Sequence, residues 1–378
     1  MTVVRCCPPD VLVSLTSQFK MESDSDFESP KFVPKKRKIP LNENKNQENP
    51  KKPKAEKQVE WKPSYDKTSD KINLDYLRNN VLVDKKTTID WLMAKKVISS
   101  GHGCTKCSRA MRLVVYDGVN DGYRWRCSAK VGGVRHDTCK SIRAGSWFSG
   151  SNMTLHEIVM VTYYWCHNLP QEYIIHELGL SSATVVDWAN FSREVCEEVM
   201  MRQSEKIGGP GIEVEIDETK IGKRKYNRGR RVDGQWVFGG REANDRTKIF
   251  MVPVPDRTKE TLVGLIEKWV EKGSVIVSDC WPSYICLKDK GYEHKTVNHS
   301  KTFKDPITGA CTNRIEQEWL HAKKSLPKYG CRHAHITSYL AAHMWRMCVR
   351  QKGGDVFLEF LNAVRTVFNP DNGWESIA

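Results

Sequence analysis

Apolar positions are sparse and unpatterned as far as about residue 70, where Asp, Glu, Ser, Pro, Asn and Lys dominate. Too little apolar surface is available there to offset the entropy of ordering, so a disordered tail is predicted over 1–70. Order begins near Ile72. Thr87-Thr88-Ile89-Asp90-Trp91-Leu92 opens a short helix with Thr87 or Thr88 as its cap and Ile89, Leu92 and Met93 on one side. A Cys-rich stretch with strand-like runs at 111–116 and 123–126 follows. Helical periodicity then holds from Leu155 to about Met200. From Ile212 short β-type runs alternate with helices, and from His335 the pattern returns to helix, with no internal repeat.

The β-rich stretch is the most ordered part of this pattern. Ile212-Glu-Val-Glu-Ile216 alternates and ends on Asp217. Gln235-Trp-Val-Phe238, followed by Gly239-Gly240, and Lys248-Ile-Phe-Met-Val252 complete a meander. An amphipathic helix is predicted over 258–270, with Leu262, Leu265, Ile266, Trp269 and Val270 apolar. Ser274-Val-Ile-Val277 is a buried fourth strand ending at Ser278-Asp279, and a fifth covers 294–298. Three strands, a helix and a parallel central strand form the order of a ribonuclease H-like α/β sheet.

Before that sheet, Leu169-Pro170-Gln171 starts a helix carrying Ile174, Ile175 and Leu178, which Gly179 ends. Ser181 or Ser182 caps a second helix whose apolar face is Val185, Trp188 and Phe191. Two helices joined by a Gly-containing turn, with Ser182 and Thr184 at the exposed start of the second, match a DNA-binding helix-turn-helix; a plain helical hairpin in a core is the rival.

The 378 residues carry 60 Lys+Arg against 46 Asp+Glu, a formal charge of +14. An excess of this size favours a polyanionic partner through counterion release. In the tail, Pro34-Lys-Lys-Arg-Lys-Ile-Pro40 and Lys51-Lys-Pro-Lys54 are clusters of nuclear-import type, which predict a nuclear protein. Met21, followed by an acidic-serine run, resembles an ordinary protein start, so residues 1–20 are expected to be an extension. A second basic run joins strands one and two, with Lys223, Arg224, Lys225, Arg228, Arg230 and Arg231 as candidate DNA contacts. No stretch is apolar enough to span a membrane, and no secretory signal is recognised.

Thirteen Cys without an export signal indicate reduced thiols and a metal site rather than a disulfide framework. Cys104-Thr-Lys-Cys107 sets two thiolates on one turn, and Cys127 and Cys139 follow the strand-like runs. Four thiolates on a knuckle and a hairpin make a zinc ribbon with a structural Zn²⁺. The insert between Cys127 and Cys139 is longer than a second knuckle needs, which leaves His136 as a rival for the fourth place.

In a ribonuclease H-like sheet, strands one and four lie side by side, so Asp217 and Asp279 are expected to face each other. Paired carboxylates repel unless cations join them, which suits a two-metal Mg²⁺ (or Mn²⁺) site for phosphoryl chemistry. The third acid belongs on a helix capped by Cys311-Thr312-Asn313, with Ile315, Trp319, Ala322 and Leu326 as its stripe. Glu316 and Glu318 flank that stripe on opposite sides, and periodicity does not choose between them. Lys323, two turns after Glu316, is a further candidate phosphate contact.

Asp217-Glu-Thr, Ser278-Asp-Cys-Trp-Pro-Ser-Tyr284 and Thr312-Asn-Arg-Ile-Glu-Gln-Glu-Trp319 resemble the three catalytic blocks of Merlin-type DDE transposases and of their bacterial ISXO-like insertion-sequence relatives. Gly239-Gly240, His299 and Ser141-Ile-Arg-Ala-Gly-Ser-Trp-Phe148 also fit. The resemblance covers roughly residues 85–350. It implies Asp217, Asp279 and Glu316 as a metal-binding catalytic triad, double-stranded DNA (transposon ends and target) as partner, and cut-and-paste chemistry. The reaction implies at least a homodimer. The alternative is a domesticated, transposase-derived DNA-binding protein without catalysis. The expected organisation is therefore a tail (1–70), a short helix and zinc ribbon (71–150), a helix-turn-helix region (151–205), a ribonuclease H-like DDE catalytic domain (210–350) and a C-terminal helical segment (351–378).

Overall fold

Side-chain capping sets the first elements. In the computed structural model, which describes residues 72–222, 234–298, 309–327 and 331–370, the tail, the 223–231 loop and His299 lie outside the described residues. Helix α1 (Leu74–Tyr76) runs on as a π-helical turn over Leu77–Val81, and α2 spans Lys85–Ala94. The cap of α2 is Asp84, not Thr87 or Thr88: Asp84 Oδ1 accepts the Thr87 N–H at 2.8 Å. Thr88 instead lies inside the helix and donates its hydroxyl to the Val81 carbonyl at 2.9 Å.

The Cys-rich stretch forms β1 (Arg112–Val115), β2 (Tyr123–Cys127), β3 (Lys130–Val131), β4 (Val134–Arg135) and β5 (Thr138–Ser141). Strands β1, β2 and β5 make an antiparallel sheet in that order, and β3–β4 is a separate hairpin between β2 and β5.

Helix α3 (Leu155–Cys166) opens with a reciprocal capping box between Thr154 and Glu157. Helix α4 (Gln171–Leu178) stops at Gly179, whose φ of 61° is the left-handed conformation that glycine adopts without strain. Ser181 caps α5 (Ser182–Arg202), accepting the Thr184 N–H at 3.1 Å. Val185 and Trp188 are buried as expected. Phe191 packs edge-on against Trp188 yet stays exposed, so the apolar face of α5 is narrower than its periodicity predicts.

The remaining elements are β6 (Ile207–Gly208), β7 (Glu213–Ile221), β8 (Gln235–Glu242), β9 (Ile249–Val254), α6 (Lys259–Trp269), β10 (Val270–Glu271), β11 (Val275–Asp279), a 3-10 helix (Pro282–Lys290), β12 (Glu293–Val297), α7 (Asn313–Ser325), α8 (His333–Gln351) and α9 (Val356–Val367). Five of the strands form one mixed sheet in the order β12-β11-β7-β8-β9. Strands β7, β8 and β9 are the antiparallel meander, and β11 runs parallel to both β7 and β12.

Strand alternation divides this sheet into two faces. Val214, Ile216, Phe238 and Phe250 bury against Leu262, Leu265 and Ile266 of α6 and Tyr284 and Leu287 of the 3-10 helix. On the other face Val237, Ile249 and Met251 pack with Ile315, Trp319 and Ala322 of α7 and Ile336 and Leu340 of α8. Burying each large side chain contributes roughly 2 kcal/mol.

The C-terminal helices fold back rather than standing apart. Trp345 of α8 and Phe357 and Phe360 of α9 share one core with Trp91, Trp147 and Trp188. Among the described residues, no helix is long and apolar enough to cross a membrane.

Candidate active site and metal cluster

Glu215, Asp217 and Thr219 alternate along the face of β7 that α7 covers, and each is tied to that helix. Glu215 accepts the backbone N–H groups of Arg314 at 2.9 Å and Ile315 at 3.0 Å, and the Arg314 guanidinium at 2.7 Å. The Trp319 indole N–H donates to Asp217 Oδ2 at 3.0 Å, and Lys323 Nζ donates to Thr219 Oγ1 at 2.5 Å. Two strand residues advance about 6.6 Å and four helical residues about 6 Å, so strand and helix keep step along their length. Thr312 occupies the expected cap position but makes no side-chain cap bond. The fully buried Glu215 supplies the cap from across the interface.

Asp279 ends β11. The parallel register pairs Val275 with Glu213 and Val277 with Glu215. Extended by two residues, it sets Asp279 level with Asp217 and on the same face. The Trp281 N–H holds Asp279 Oδ1 at 3.0 Å.

Glu316 lies in the first turn of α7 and accepts from the Thr312 hydroxyl at 3.1 Å. Glu318 is fully buried between Arg241 at 3.0 Å and Arg246 at 2.6 Å. Its charge is therefore already matched inside the fold, whereas Glu316 is exposed on the acid side. Burial raises the Asp217 carboxyl to about 6, assisted by the negative charges of Asp279 and Glu316, and the Glu218 N–H and Trp319 hydrogen bonds only partly oppose this. The charges of Asp279 and Glu316 thus bear on Asp217, and this repulsion is the feature a divalent cation would relieve. Hard carboxylate oxygens fit Mg²⁺ or Mn²⁺. They are not gathered as tightly as the donors of the cluster described below.

Glu218, next along β7, points to the opposite face and accepts a hydrogen bond from the Tyr284 hydroxyl. Burial lifts it to about 8, with the neighbouring Asp217 and Asp279 charges adding and Arg257 opposing. Arg257 lies 3.8 Å from Glu218, with its guanidinium between the rings of Trp236 at 4.0 Å and Trp281 at 4.4 Å. None of this stack is apparent from local periodicity, because Trp236, Arg257 and Trp281 come from three separate segments of the chain.

A second constellation is Cys104, Cys107, Cys127 and His136, whose donor atoms all lie within 4.8 Å of one another. Cys104 Sγ is 3.4 Å and Cys127 Sγ 3.5 Å from His136 Nε2, and Cys107 and Cys127 sulfurs are 3.6 Å apart. Tetrahedral zinc with ordinary bond lengths separates its ligands by about 3.5–3.8 Å, so the donor set fits a structural Zn²⁺. Burial pushes the Cys104 thiol up, but the Lys106 and Cys107 N–H groups and the Cys107 and His136 side chains outweigh it and bring it down to about 6. Burial and the neighbouring thiols drive Cys127 up to about 11.

Of the two residues weighed for the fourth place, His136 lies with the other three donors and Cys139 does not. Cys139 pairs with Arg126 across β2–β5 while Cys127 pairs with Thr138, so Cys139 faces away from the other sulfurs. It is exposed. The β3–β4 hairpin lets the chain return so that His136 reaches the cluster, its N–H held by the Ala129 carbonyl at 2.9 Å.

The other expected contacts are dispersed. Ser182 is exposed at the start of α5, and the Thr184 hydroxyl is engaged with Ser181 at 2.8 Å. Lys323 lies on the acid side of α7, whereas Lys223, Arg224, Lys225, Arg228, Arg230 and Arg231 fall outside the described residues.

Residues 207–347, from β6 into α8 and including every acid above, match the family model of the ISXO2-like transposase domain. An uncharacterized transposase-like protein of Haemophilus influenzae is 31% identical over 102 residues, which cover 27% of this chain and 81% of that protein. The chain belongs to the ISXO2-like transposase family. The matched transposase domain thus holds the acidic site, while the Cys/His cluster and the α4–α5 pair lie outside it.

Proposed function

We propose that the protein is a Merlin-type DDE transposase that binds the terminal inverted repeats of its element and cuts and joins DNA in a ribonuclease H-like domain. The observation that carries this reading is the placement of Asp217, midway along β7, level with Asp279 at the end of the adjacent parallel strand β11, with Glu316 on the helix fastened to β7.

Asp217, Asp279 and Glu316 would hold the divalent ions. Bound there, Mg²⁺ supplies a nucleophilic water at neutral pH and stabilises the attacking and leaving oxygens of an in-line displacement. The protein's part is to keep the carboxylates in place: Trp319 fixes one Asp217 oxygen and the Trp281 N–H fixes one Asp279 oxygen. Cleavage at the transposon end breaks a phosphodiester with water and leaves a 3′-hydroxyl. Transfer repeats the displacement with that hydroxyl on target DNA, releasing a target 3′-oxygen.

Helices α4 and α5 act as a helix-turn-helix, with the exposed Ser182 end toward DNA, and zinc in the Cys/His cluster is structural. Two transposon ends are handled by at least a dimer, and the basic clusters of the tail direct the protein to the nucleus.

The test is incubation of the purified protein with Mg²⁺ and a duplex carrying the repeats that flank its gene, beside Asp279→Ala. Nicks at the repeat end with joined products, absent from the variant, support the reading. Nicks without joining indicate a nuclease. Repeat-specific binding without cutting indicates a domesticated DNA-binding protein.

A further inference from the structure

The insert that displaces Cys139 from the cluster builds a projection with no role in the core. Lys130 pairs directly with Arg135, and Val131 with Val134. Gly132 and Gly133 close the hairpin with φ of 58° and 82°, the two positive values of a type I′ turn. A Cβ built on either glycine meets nothing within 4 Å, so the tip stands clear of the rest of the protein. Val131 is 48% and Val134 72% exposed.

Three features count against this hairpin as a purely structural element. Like charges directly opposite across a strand pair are destabilising, and an exposed valine pair removes little apolar surface from water. Strands of two residues are also too short to hold themselves. The support comes from below: Cys127 precedes the hairpin and His136 follows it, with their donor atoms 3.5 Å apart. The Cys/His cluster therefore holds both feet of the projection.

The surroundings are basic. Residues 104–143 carry nine Lys and Arg against three Asp and no Glu. Asp121 and Asp137 are already paired with Arg143 and Arg126. A two-stranded ribbon is narrow enough to enter the DNA major groove, where thymine methyl groups offer apolar contacts. Charge complementarity thus favours duplex DNA as the occupant.

We propose that the 128–135 hairpin is a DNA-reading finger. Lys130 and Arg135 engage phosphates on the flanking strands, and Val131 and Val134 meet base edges in the groove. The proposal rests on DNA being the substrate of this transposase, and it adds a recognition element separate from both α5 and the acidic site.

The test is equilibrium binding of the full-length chain to fluorescent end-repeat and scrambled duplexes at increasing salt. Removing two phosphate contacts in a Lys130→Ala/Arg135→Ala variant should lower the slope of log K against log salt by about 2 and weaken binding on the order of tenfold or more at moderate salt. Val131→Ser/Val134→Ser should keep the slope and lose affinity chiefly for the end-repeat duplex. In the unmodified protein, Lys130 should be acetylated when free and protected in the complex, a readout independent of any variant's folding. Unchanged slope and affinity in both variants, or full acetylation of Lys130 in the complex, overturns the finger while leaving the transposase reading intact. Failure of the unmodified chain to bind any duplex overturns both.

Discussion

Glu215 Oε2 accepts the Ile315 N–H at 3.0 Å, joining a buried strand residue to a helix start one hundred positions later in the chain. The same carboxylate takes the Arg314 N–H and guanidinium. The helix that carries Glu316 is therefore aligned by the strand that carries Asp217. Glu215→Ala should cost about 2–4 kcal/mol, because it removes a charged cap and leaves buried donors unpaired. Urea unfolding with an unchanged midpoint would contradict this role.

Gly239 lies opposite Asp217 in the β7–β8 register. A Cβ there would lie 2.6 Å from Trp319 Cη2 and 2.9 Å from the Phe250 carbonyl oxygen. The ring that would have to move is the one whose N–H holds Asp217. Gly239→Ala is expected to destabilise by about 1–3 kcal/mol. It should also alter tryptophan fluorescence, and DNA nicking should fall by more than the loss of folded protein explains.

The strands and most helices of the acidic domain were legible from alternation and periodicity, because each buries one face against a neighbouring layer. The position of α7 was less so. Glu215 reads locally as a polar position on an alternating strand, yet its face is covered, and its partners lie far away in sequence. A charged residue in phase with Asp217 was the available signal. Cys139 was favoured over its rival His136 because spacing does not reveal the strand register that turns Cys139 away from the other sulfurs. Asp84 was a locally visible cap that the nearby threonines obscured. The return of α8 and α9 to the N-terminal core depends on long-range packing that no local pattern encodes.

The ligand assignment separates two variants. His136→Ala should lose most bound zinc, whereas Cys139→Ser should retain it, as measured by metal content of protein purified in zinc-supplemented medium. Zinc retained by the histidine variant and lost from the Cys139 variant would restore the all-cysteine site.

Glu218 gives a pH dependence. Its folded pKa of about 8 lies above the ordinary value, so the folded state holds the proton more tightly than the unfolded chain. The resulting stability is fully present below the unfolded value near ~4.3 and is lost as pH rises through 8, a change on the order of a few kcal/mol. Asp217, at about 6, acts in the same direction. Thermal melts in magnesium-free buffer should fall between pH 5 and 9. Glu218→Gln should flatten that decline and be the more stable protein at pH 9; a parallel pair of curves would refute the assignment.

The most direct test contrasts the two glutamates of α7. Glu318→Gln strips the buried Arg241 and Arg246 of their shared carboxylate and should cost about 3 kcal/mol. Glu316→Gln should leave the melting temperature nearly unchanged. The decisive measurement is Mg²⁺-dependent nicking of the end-repeat duplex by Glu316→Gln under conditions where it is fully folded. A loss of a hundredfold or more, of the order expected for a group that stabilises the transition state, is the predicted result. Nicking at the unmodified rate would contradict the assignment of Asp217, Asp279 and Glu316 as the catalytic acids.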